Sequence, residues 1–261
     1  MKWDLVKFQP APNSNLDSDR ELATLRNADM ISINMAMTAD GKIAPASRRY
    51  APFSSEKDQD LLLDLRARAD AVMSGARTVN SFPVNLGPGP ARYRRLRLRR
   101  GLAEYNLRVI VSGSGSVDPD AEVFRHRFSP IIVLTTARAP RARIKRLEAR
   151  AAVVKCCGEH TVDFPAAVSG LRTEWGVRRL LCEGGGELNA ALFEAELVDE
   201  LNLTIGPLVW GGRAAPTLAE GRGFATLAEA AQLRLRRLRR VGAELFLTYT
   251  VVSRLTRSPA R

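Results

Sequence analysis

The residues best suited to chemistry lie in one stretch, Cys182-Glu183-Gly184-Gly185-Gly186-Glu187-Leu188-Asn189. An apolar run precedes Glu183 and a helical pattern follows the glycines, which predicts a strand, a tight turn and a helix N-terminus. Residues without a Cβ let a ligand approach the backbone closely. The start of a helix offers unpaired N–H groups and the positive end of the helix dipole. The stretch therefore predicts a seat for a phosphate or pyrophosphate. The alternative is a plain strand-to-helix turn, which needs only one glycine.

Two further candidates precede this stretch. The apolar run Met30 to Met37 predicts a central strand, and it ends in the turn signal Asp40-Gly41. Polar residues at a strand end of an α/β sheet lie where ligands bind, although a simple turn is an equally good interpretation. A later segment predicts a helix that opens at the capping-box-like Ser55-Glu56-Lys57-Asp58. Near its end, Arg66 and Arg68 cannot share a face, so we expect one to point toward a ligand and the other into solvent.

Residues 80–105 contain two glycines and two prolines in the short run 87–90. This composition predicts a long irregular segment. Arginines dominate residues 92–100. The run is interpreted as a solvated basic face, with an anion-binding arm as the sharper alternative.

Strands alternate with helices as far as about Pro207, and this order predicts an α/β fold with a mainly parallel sheet. Two alternating segments, 233–238 and 245–252, then predict an antiparallel hairpin with a turn at Val241-Gly242-Ala243. The first segment is rich in arginine, which suits an edge strand because charge discourages edge pairing. We expect an N-terminal extension over residues 1–28, one domain over 29–253 and a flexible tail over 254–261.

Composition narrows the class of protein. The net charge of +12 is compatible with nucleic acid, an anionic surface or a phosphorylated small ligand as partner, and equally with compositional bias. The N-terminus does not resemble a signal peptide, and no apolar run is long enough for a membrane span. Three cysteines, two of them adjacent, predict neither a disulfide framework nor a metal site. We therefore expect a cytoplasmic protein without membrane attachment or metal.

Several catalytic signatures are missing from the sequence. His126 and His160 lack the contexts of a zinc deaminase, no Walker A lysine is present, and no cysteine nucleophile is indicated. What remains is a glycine turn for phosphate, a carboxylate at a strand end and an arginine on a nearby helix.

Four motifs stand in order along the chain: Met37-Thr38-Ala39-Asp40-Gly41-Lys42-Ile43, Leu65-Arg66-Ala67-Arg68-Ala69-Asp70-Ala71-Val72-Met73-Ser74-Gly75-Ala76-Arg77-Thr78-Val79, Cys182-Glu183-Gly184-Gly185-Gly186 and Leu197-Val198-Asp199-Glu200-Leu201. Together they resemble the reductase of riboflavin biosynthesis, a dihydrofolate-reductase-like domain found alone or behind a deaminase domain. The resemblance covers about residues 28 to 253. The resemblance implies a three-layer α/β fold and NADPH-dependent reduction of a ribosylamino-pyrimidine 5′-phosphate to its ribitylamino form. It also implies a homodimer.

The resemblance also implies roles for single residues. Glu183 and Arg66 resemble substrate contacts, and we expect Glu183 to orient the substrate and to relay a proton in catalysis. Asp40 resembles a residue on the floor of the catalytic site. The residues that resemble cofactor contacts are Thr78, Ser112, Gly113, Gly184, Gly185, Gly186, Glu187, Leu188 and Asn189.

The chain departs from the family after Thr78, where many members carry acidic residues, a proline and a Leu-Thr-x-Arg segment. Residues 79–86 read Val-Asn-Ser-Phe-Pro-Val-Asn-Leu instead, so the acidic cofactor contact is absent and the substrate arginine is unassigned. Arg92, Arg94 or Arg95 is a candidate replacement for holding the substrate phosphate. The choice between the diamino and the deaminated pyrimidine stays open.

Two other functions remain as alternatives. A dihydrofolate or pterin reductase of the same fold would differ only in its pocket. A nucleic-acid-binding protein would use the basic charge, but only Tyr93 is interleaved with the longest arginine run, and single-strand binders need aromatic stacking platforms.

Overall fold

The computed structural model describes residues 29–49, 51–150 and 153–252. The predicted N-terminal extension and the predicted C-terminal tail lie outside the described residues. Nine strands form one sheet, and they are β1 Met30–Thr38, β2 Ala71–Gly75, β3 Leu107–Val111, β4 Ile131–Thr135, β5 Val153–Cys156, β6 Arg179–Cys182, β7 Glu200–Gly206, β8 Gln232–Val241 and β9 Glu244–Val252. The helices are α1 Glu56–Arg66, α2 Ala76–Ser81, α3 Ala91–Arg99, α4 Glu122–Arg125, α5 Arg141–Glu148, α6 Phe164–Trp175 and α7 Gly186–Glu194.

The strand order is β5-β4-β3-β2-β6-β1-β7-β9-β8. All pairings from β5 to β7 are parallel, and β9 then pairs antiparallel with both β7 and β8. The predicted mainly parallel sheet with an antiparallel C-terminal hairpin is confirmed.

Alternate residues of the central strands enter two different cores, and this gives the fold its three layers. In β2, Met73 packs with the cluster that contains α6 and α7, whereas Val72 packs with the cluster on the opposite face. Ile132 and Val133 of β4 divide in the same way. Both faces of these strands are covered, as expected for a parallel sheet.

The arginine run is a helix and neither an irregular arm nor a fully solvated face. In α3, Tyr93 and Arg97 are buried while Arg95 is exposed. The Arg97 guanidinium donates to the carbonyls of Ala103, Arg66 and Ala69 at 2.8, 2.7 and 2.5 Å. The prediction was wrong because a buried arginine that bonds to backbone carbonyls cannot be told from a solvated one by residue type.

Helix α2 begins directly after β2, with Gly75 as its N-cap. At the other end of the fold, the arginine-rich β8 forms the sheet edge as predicted, and its side chains are almost all exposed. Among the described residues, no helix has the length and apolar character that crossing a membrane requires.

Candidate active site

The ends of β2, β3 and β6 meet at one edge of the sheet, because these strands are parallel neighbours. A cavity of about 840 Å³ opens there. A crevice outside the carboxyl ends of the strands is the usual ligand site of open α/β sheets. The sequence-predicted residues that line it are Thr78, Ser112, Gly113, Glu183, Gly185, Gly186, Glu187 and Leu188.

The three glycines of the loop have different tasks. Gly184 has a φ of +74°, and a Cβ there would lie 2.6 Å from the Met35 Sδ. Its carbonyl accepts hydrogen bonds from the Gly75 N–H at 2.8 Å and from the Ser74 hydroxyl at 3.2 Å. Gly184 thus ties the loop to β2 and does not line the cavity, and its cofactor contact stays a prediction.

Gly185 and Gly186 do line the cavity. A Cβ on Gly185 would lie 3.4 Å from the Thr78 hydroxyl, so this glycine keeps the space in front of Thr78 open. A Cβ on Gly186 would lie 2.5 Å from the Thr217 carbonyl oxygen, so this glycine is needed for packing. Helix α7 begins at Gly186, and its first turn presents N–H groups without intrahelical partners to the cavity.

Asn189 is fully buried and does not line the cavity. Its amide donates to the Leu218 carbonyl at 2.8 Å, and its Oδ1 accepts the Cys182 thiol at 3.5 Å. The side chain of Asn189 thus anchors α7 to the segment that covers it, and the cofactor contact at Asn189 stays a prediction.

Arg66 and Glu183 form a bidentate ion pair. The Arg66 Nε lies 2.6 Å from the Glu183 Oε1, and the Arg66 Nη2 lies 2.7 Å from the Glu183 Oε2. The Arg66 Nη1 donates to the Gly87 carbonyl at 2.7 Å. Both side chains are about nine-tenths buried, at 8% and 10% exposure, but only Glu183 lines the cavity. The substrate contact of Arg66 stays a prediction, since only Glu183 of the pair lines the cavity. Arg68 extends outward and pairs with Asp64, so of the two arginines it is the one that points into solvent.

The cavity continues from the glycine loop to the turn after β3. The Ser112 hydroxyl accepts the Ser116 N–H at 2.9 Å, and the Gly113 carbonyl accepts the Thr136 hydroxyl at 2.7 Å. These bonds fix the conformation of the turn that carries the two predicted cofactor contacts Ser112 and Gly113.

Asp40 does not lie in the cavity lining. Its exposed carboxylate accepts the hydroxyl of Thr38 and the backbone N–H groups of Trp210 and Gly211, the latter two at 3.2 and 2.7 Å. The hydroxyl of Thr38 contributes most to lowering the pKa of Asp40. The carboxylate therefore fastens the 210–211 loop to the end of β1, and the catalytic place of Asp40 stays a prediction.

Arg48 is a cavity residue that the sequence interpretation missed. It lies in the loop after Asp40-Gly41, and its guanidinium is 3.3 Å from the carboxylate of Glu220. No motif marked it, because a loop arginine in an arginine-rich chain carries no distinguishing pattern. The expected candidates Arg92, Arg94 and Arg95 lie on α3, outside this cavity.

Solved structures share this architecture. A pyrimidine reductase-like protein from Corynebacterium diphtheriae superposes with a TM-score of 0.75 at 23% identity, over 89% of this chain and 95% of that one. RibD from Acinetobacter baumannii superposes with a TM-score of 0.67 at 16% identity, over 87% of this chain and 59% of that one. The fold is thus the dihydrofolate-reductase-like fold of reductase domains, with a cavity at the carboxyl ends of its strands.

The family model of the RibD C-terminal domain matches residues 29–247, and the chain belongs to this family. Two similar proteins are named 2,5-diamino-6-ribosylamino-4(3H)-pyrimidinone 5′-phosphate reductase. The one from Methanothermobacter thermautotrophicus is 34% identical over 85% of this chain and 97% of its own length. The one from Archaeoglobus fulgidus is 31% identical over 84% of this chain and 96% of its own length. The expected class of enzyme, an oxidoreductase, is confirmed.

Proposed function

We propose that the protein reduces a ribosylamino-pyrimidine 5′-phosphate to the ribitylamino form with NADPH, and that the diamino pyrimidine is its substrate. One observation carries the proposal: a carboxylate held by a buried arginine stands directly before the glycine loop on one cavity wall. The names of the relatives support the diamino form.

The cavity residues fit a nicotinamide dinucleotide. The open space between Gly185 and Thr78, which a Cβ would narrow, leads to the N-terminus of α7. Backbone N–H groups and the helix dipole stabilise a pyrophosphate at such a place. Gly185, Gly186, Glu187 and Leu188 would line the pyrophosphate seat, with Ser112 and Gly113 on the adenosine side. When bound, NADPH supplies a hydride for C1′ of the open-chain imine of the substrate.

Glu183 supports the reaction from the cavity wall directly before the glycine loop. Paired with Arg66, it offers acceptor lone pairs for N–H groups of the substrate. Its fixed orientation holds the substrate near attack geometry. We also propose that Glu183 relays a proton. Water would supply the proton that the substrate nitrogen takes up. Arg48 is our candidate for holding the substrate phosphate, because it is a cationic lining residue on the β1 side of the cavity.

The first experiment is a titration of the purified protein with NADPH. A second experiment measures the loss of NADPH absorbance after the diamino or the deaminated substrate is added. We expect binding, and oxidation with the diamino form. Oxidation with the deaminated form alone would overturn the substrate assignment, and oxidation with dihydrofolate alone would establish the pterin alternative. Absence of NADPH binding would overturn the proposed function.

We also propose a homodimer that packs on the exposed leucine side chains of β8 and does not pair with the charged edge of this strand. This strand exposes Leu233, Leu235 and Leu238 at 40%, 42% and 57%, which is unusual for three leucines of one strand. The interface would be weakened by Leu238→Glu, and the elution volume in size-exclusion chromatography with light scattering measures the change. A wild-type monomer at working concentration would contradict this assembly.

We also propose a cytoplasmic location, which the three free cysteines support.

A further inference from the structure

Two arginine-rich segments that the active site does not use meet across a second cavity. Helix α3 holds the first segment, and β8, near the C-terminal end of the described residues, holds the second. The cavity between them has a volume of about 810 Å³ and shares no lining residue with the active-site cavity. Helix α1 and strand β7 also line it, through residues such as Leu65 and Asn202. Its volume is within the range of small-molecule sites in proteins.

A β-bulge sorts the side chains of β8 by their chemistry. The register shift between Leu235 and Arg237 adds one residue to the strand, and an added residue reverses the alternation of the side chains that follow. Leu235 pairs with Tyr249, which packs against the core that contains α6 and α7. Arg239 pairs with Phe246, which lines the second cavity. Arg237 and Arg239 therefore lie on the opposite face from the exposed leucines of β8, and a dimer that packs on the leucines leaves the cavity open.

The lining of the second cavity carries an excess of positive charge. Six cationic and three anionic side chains line it. Both aspartates are neutralised, because Asp60 pairs with Arg92 at 2.6 Å and Asp64 pairs with Arg68. The third carboxylate, that of Glu200, accepts a side-chain amide of the same strand at 2.8 Å. The carboxylates therefore leave a net positive field in the cavity, which attracts an anion.

Among the described residues, three arginines of the lining have no carboxylate partner. Arg99 is exposed in the last turn of α3, and Arg237 is exposed on β8. The Arg239 guanidinium lies 5.0 Å from the centre of the Phe246 ring, and this cation–π contact uses none of its five N–H donors. The three guanidinium groups thus offer their N–H donors to an anion that bridges α3 and β8.

We propose that this cavity is a second ligand site, which binds a small molecule that carries a di- or triphosphate group. Residues two apart on one face of a strand are separated by about 7 Å, so Arg237 and Arg239 suit linked phosphoryl groups better than a single phosphate. Arginine binds phosphate oxygens through two parallel N–H donors. Single-stranded nucleic acid fits less well, because the two aromatic residues of the lining, Tyr93 and Phe246, are buried and offer no stacking platform.

Calorimetric titration with inorganic tripolyphosphate tests the site without substrate or cofactor. We expect wild-type protein to bind it, and Arg237→Ala and Arg239→Ala each to lose roughly tenfold in affinity, as for a charge-assisted hydrogen bond. Arg234→Ala is the matched control, because it removes the same charge from an exposed position of β8 outside the lining. Its affinity should stay within about twofold of wild type. Arg48→Ala, in the active-site cavity, should also leave this affinity unchanged.

A comparison of ATP with tripolyphosphate identifies the source of the phosphoryl groups. Tighter binding of ATP supports a nucleotide as the ligand, and equal binding supports an inorganic oligophosphate. In both cases the affinity should fall in Arg237→Ala, and orthophosphate should bind more weakly than either.

Four outcomes would overturn the inference. They are no binding of tripolyphosphate to wild type, an equal loss in Arg234→Ala, an equal loss in Arg48→Ala, and stronger binding of a single-stranded oligonucleotide that is lost in Arg237→Ala. The last result would make the cavity part of a nucleic-acid surface. Thermal unfolding of each variant identifies a loss that comes from misfolding, and Arg99→Ala on α3 then provides an independent test of the site.

Discussion

Arg66 and Glu183 lie 117 positions apart in the chain and meet through two parallel hydrogen bonds of 2.6 and 2.7 Å. The pair joins the last residue of α1 to the residue that follows β6. A third bond, from Arg66 to the Gly87 carbonyl, fixes the remaining arm of the guanidinium. Arg66 therefore acts as the positioning residue and Glu183 as the residue that faces the cavity.

The pair leads to a prediction for catalysis. In Glu183→Gln an amide replaces one oxygen that accepts from Arg66, so the side chain loses its fixed orientation and its charge. We expect kcat/KM for the pyrimidine substrate to fall by roughly 100-fold, within the range for a positioned catalytic group. NADPH affinity, measured by calorimetry, should change by less than about twofold.

Arg66→Lys is the matched variant, because a lysine keeps the charge but cannot make the bidentate contact. It should also lower kcat/KM, with a smaller effect than Glu183→Gln. Full turnover in both variants would show that the pair serves stability alone.

The glycine loop permits a prediction that separates binding from folding. Gly185→Ala places a Cβ 3.4 Å from the Thr78 hydroxyl, inside the cavity, at an ordinary negative φ. NADPH affinity should fall by roughly tenfold, with little change in the unfolding midpoint. Gly186→Ala places a Cβ 2.5 Å from the Thr217 carbonyl oxygen and should destabilise the protein by about 1–3 kcal/mol, as overpacking does. Titration and thermal unfolding of both variants check the contrast, and the reverse assignment would contradict it.

Local patterns predicted the elements of the fold well. Uninterrupted apolar runs marked the buried strands, and the three glycines after Glu183 marked the turn before α7. Periodicity cannot show which side chain reaches across the sheet. The capping-box pattern is an example, because the Ser55 N–H is accepted by Glu244 at 2.8 Å, 189 positions away, and Asp58 turns inward.

The structure brings most of the predicted site residues to one cavity and leaves four outside its lining. Glu183, Gly185 to Leu188, Thr78, Ser112 and Gly113 meet around the cavity. The four exceptions are Arg66, Gly184, Asn189 and Asp40, and their polar groups bond to neighbouring chain segments. A motif marks a position but does not tell a ligand contact from a loop anchor.

Arg97 provides a prediction about stability. It is 1% exposed and bonds to three backbone carbonyls, one of them that of Arg66. Burial lowers its pKa to about 10, so it is still cationic at neutral pH. Arg97→Met leaves these carbonyls without their donor, and we expect a loss of about 2–4 kcal/mol in the free energy of unfolding.

Denaturant unfolding measures this loss, with Arg95→Ala as the control at an exposed position of the same helix. The control should change stability by less than about 0.5 kcal/mol. Equal stabilities for Arg97→Met and the control would contradict the structural role of Arg97.

The buried carboxyl group of Asp58 leads to a prediction of how the stability of the protein depends on pH. The side chain is buried in the first turn of α1, and burial is the main cause that raises its pKa above 3.8, with the carboxylate of Glu244 adding to the shift. The folded protein therefore holds this proton more tightly than the unfolded chain does. The contribution of Asp58 to the free energy of unfolding is complete below pH 3.8 and is lost as the pH rises through the folded-state pKa.

Asp58→Asn removes the buried charge and should be more stable than wild type at pH 7, by about 1 kcal/mol. Denaturant unfolding from pH 4 to pH 8 checks this, with the half-exposed Asp60→Asn as control, and an unchanged gap between wild type and Asp58→Asn across that range would contradict it.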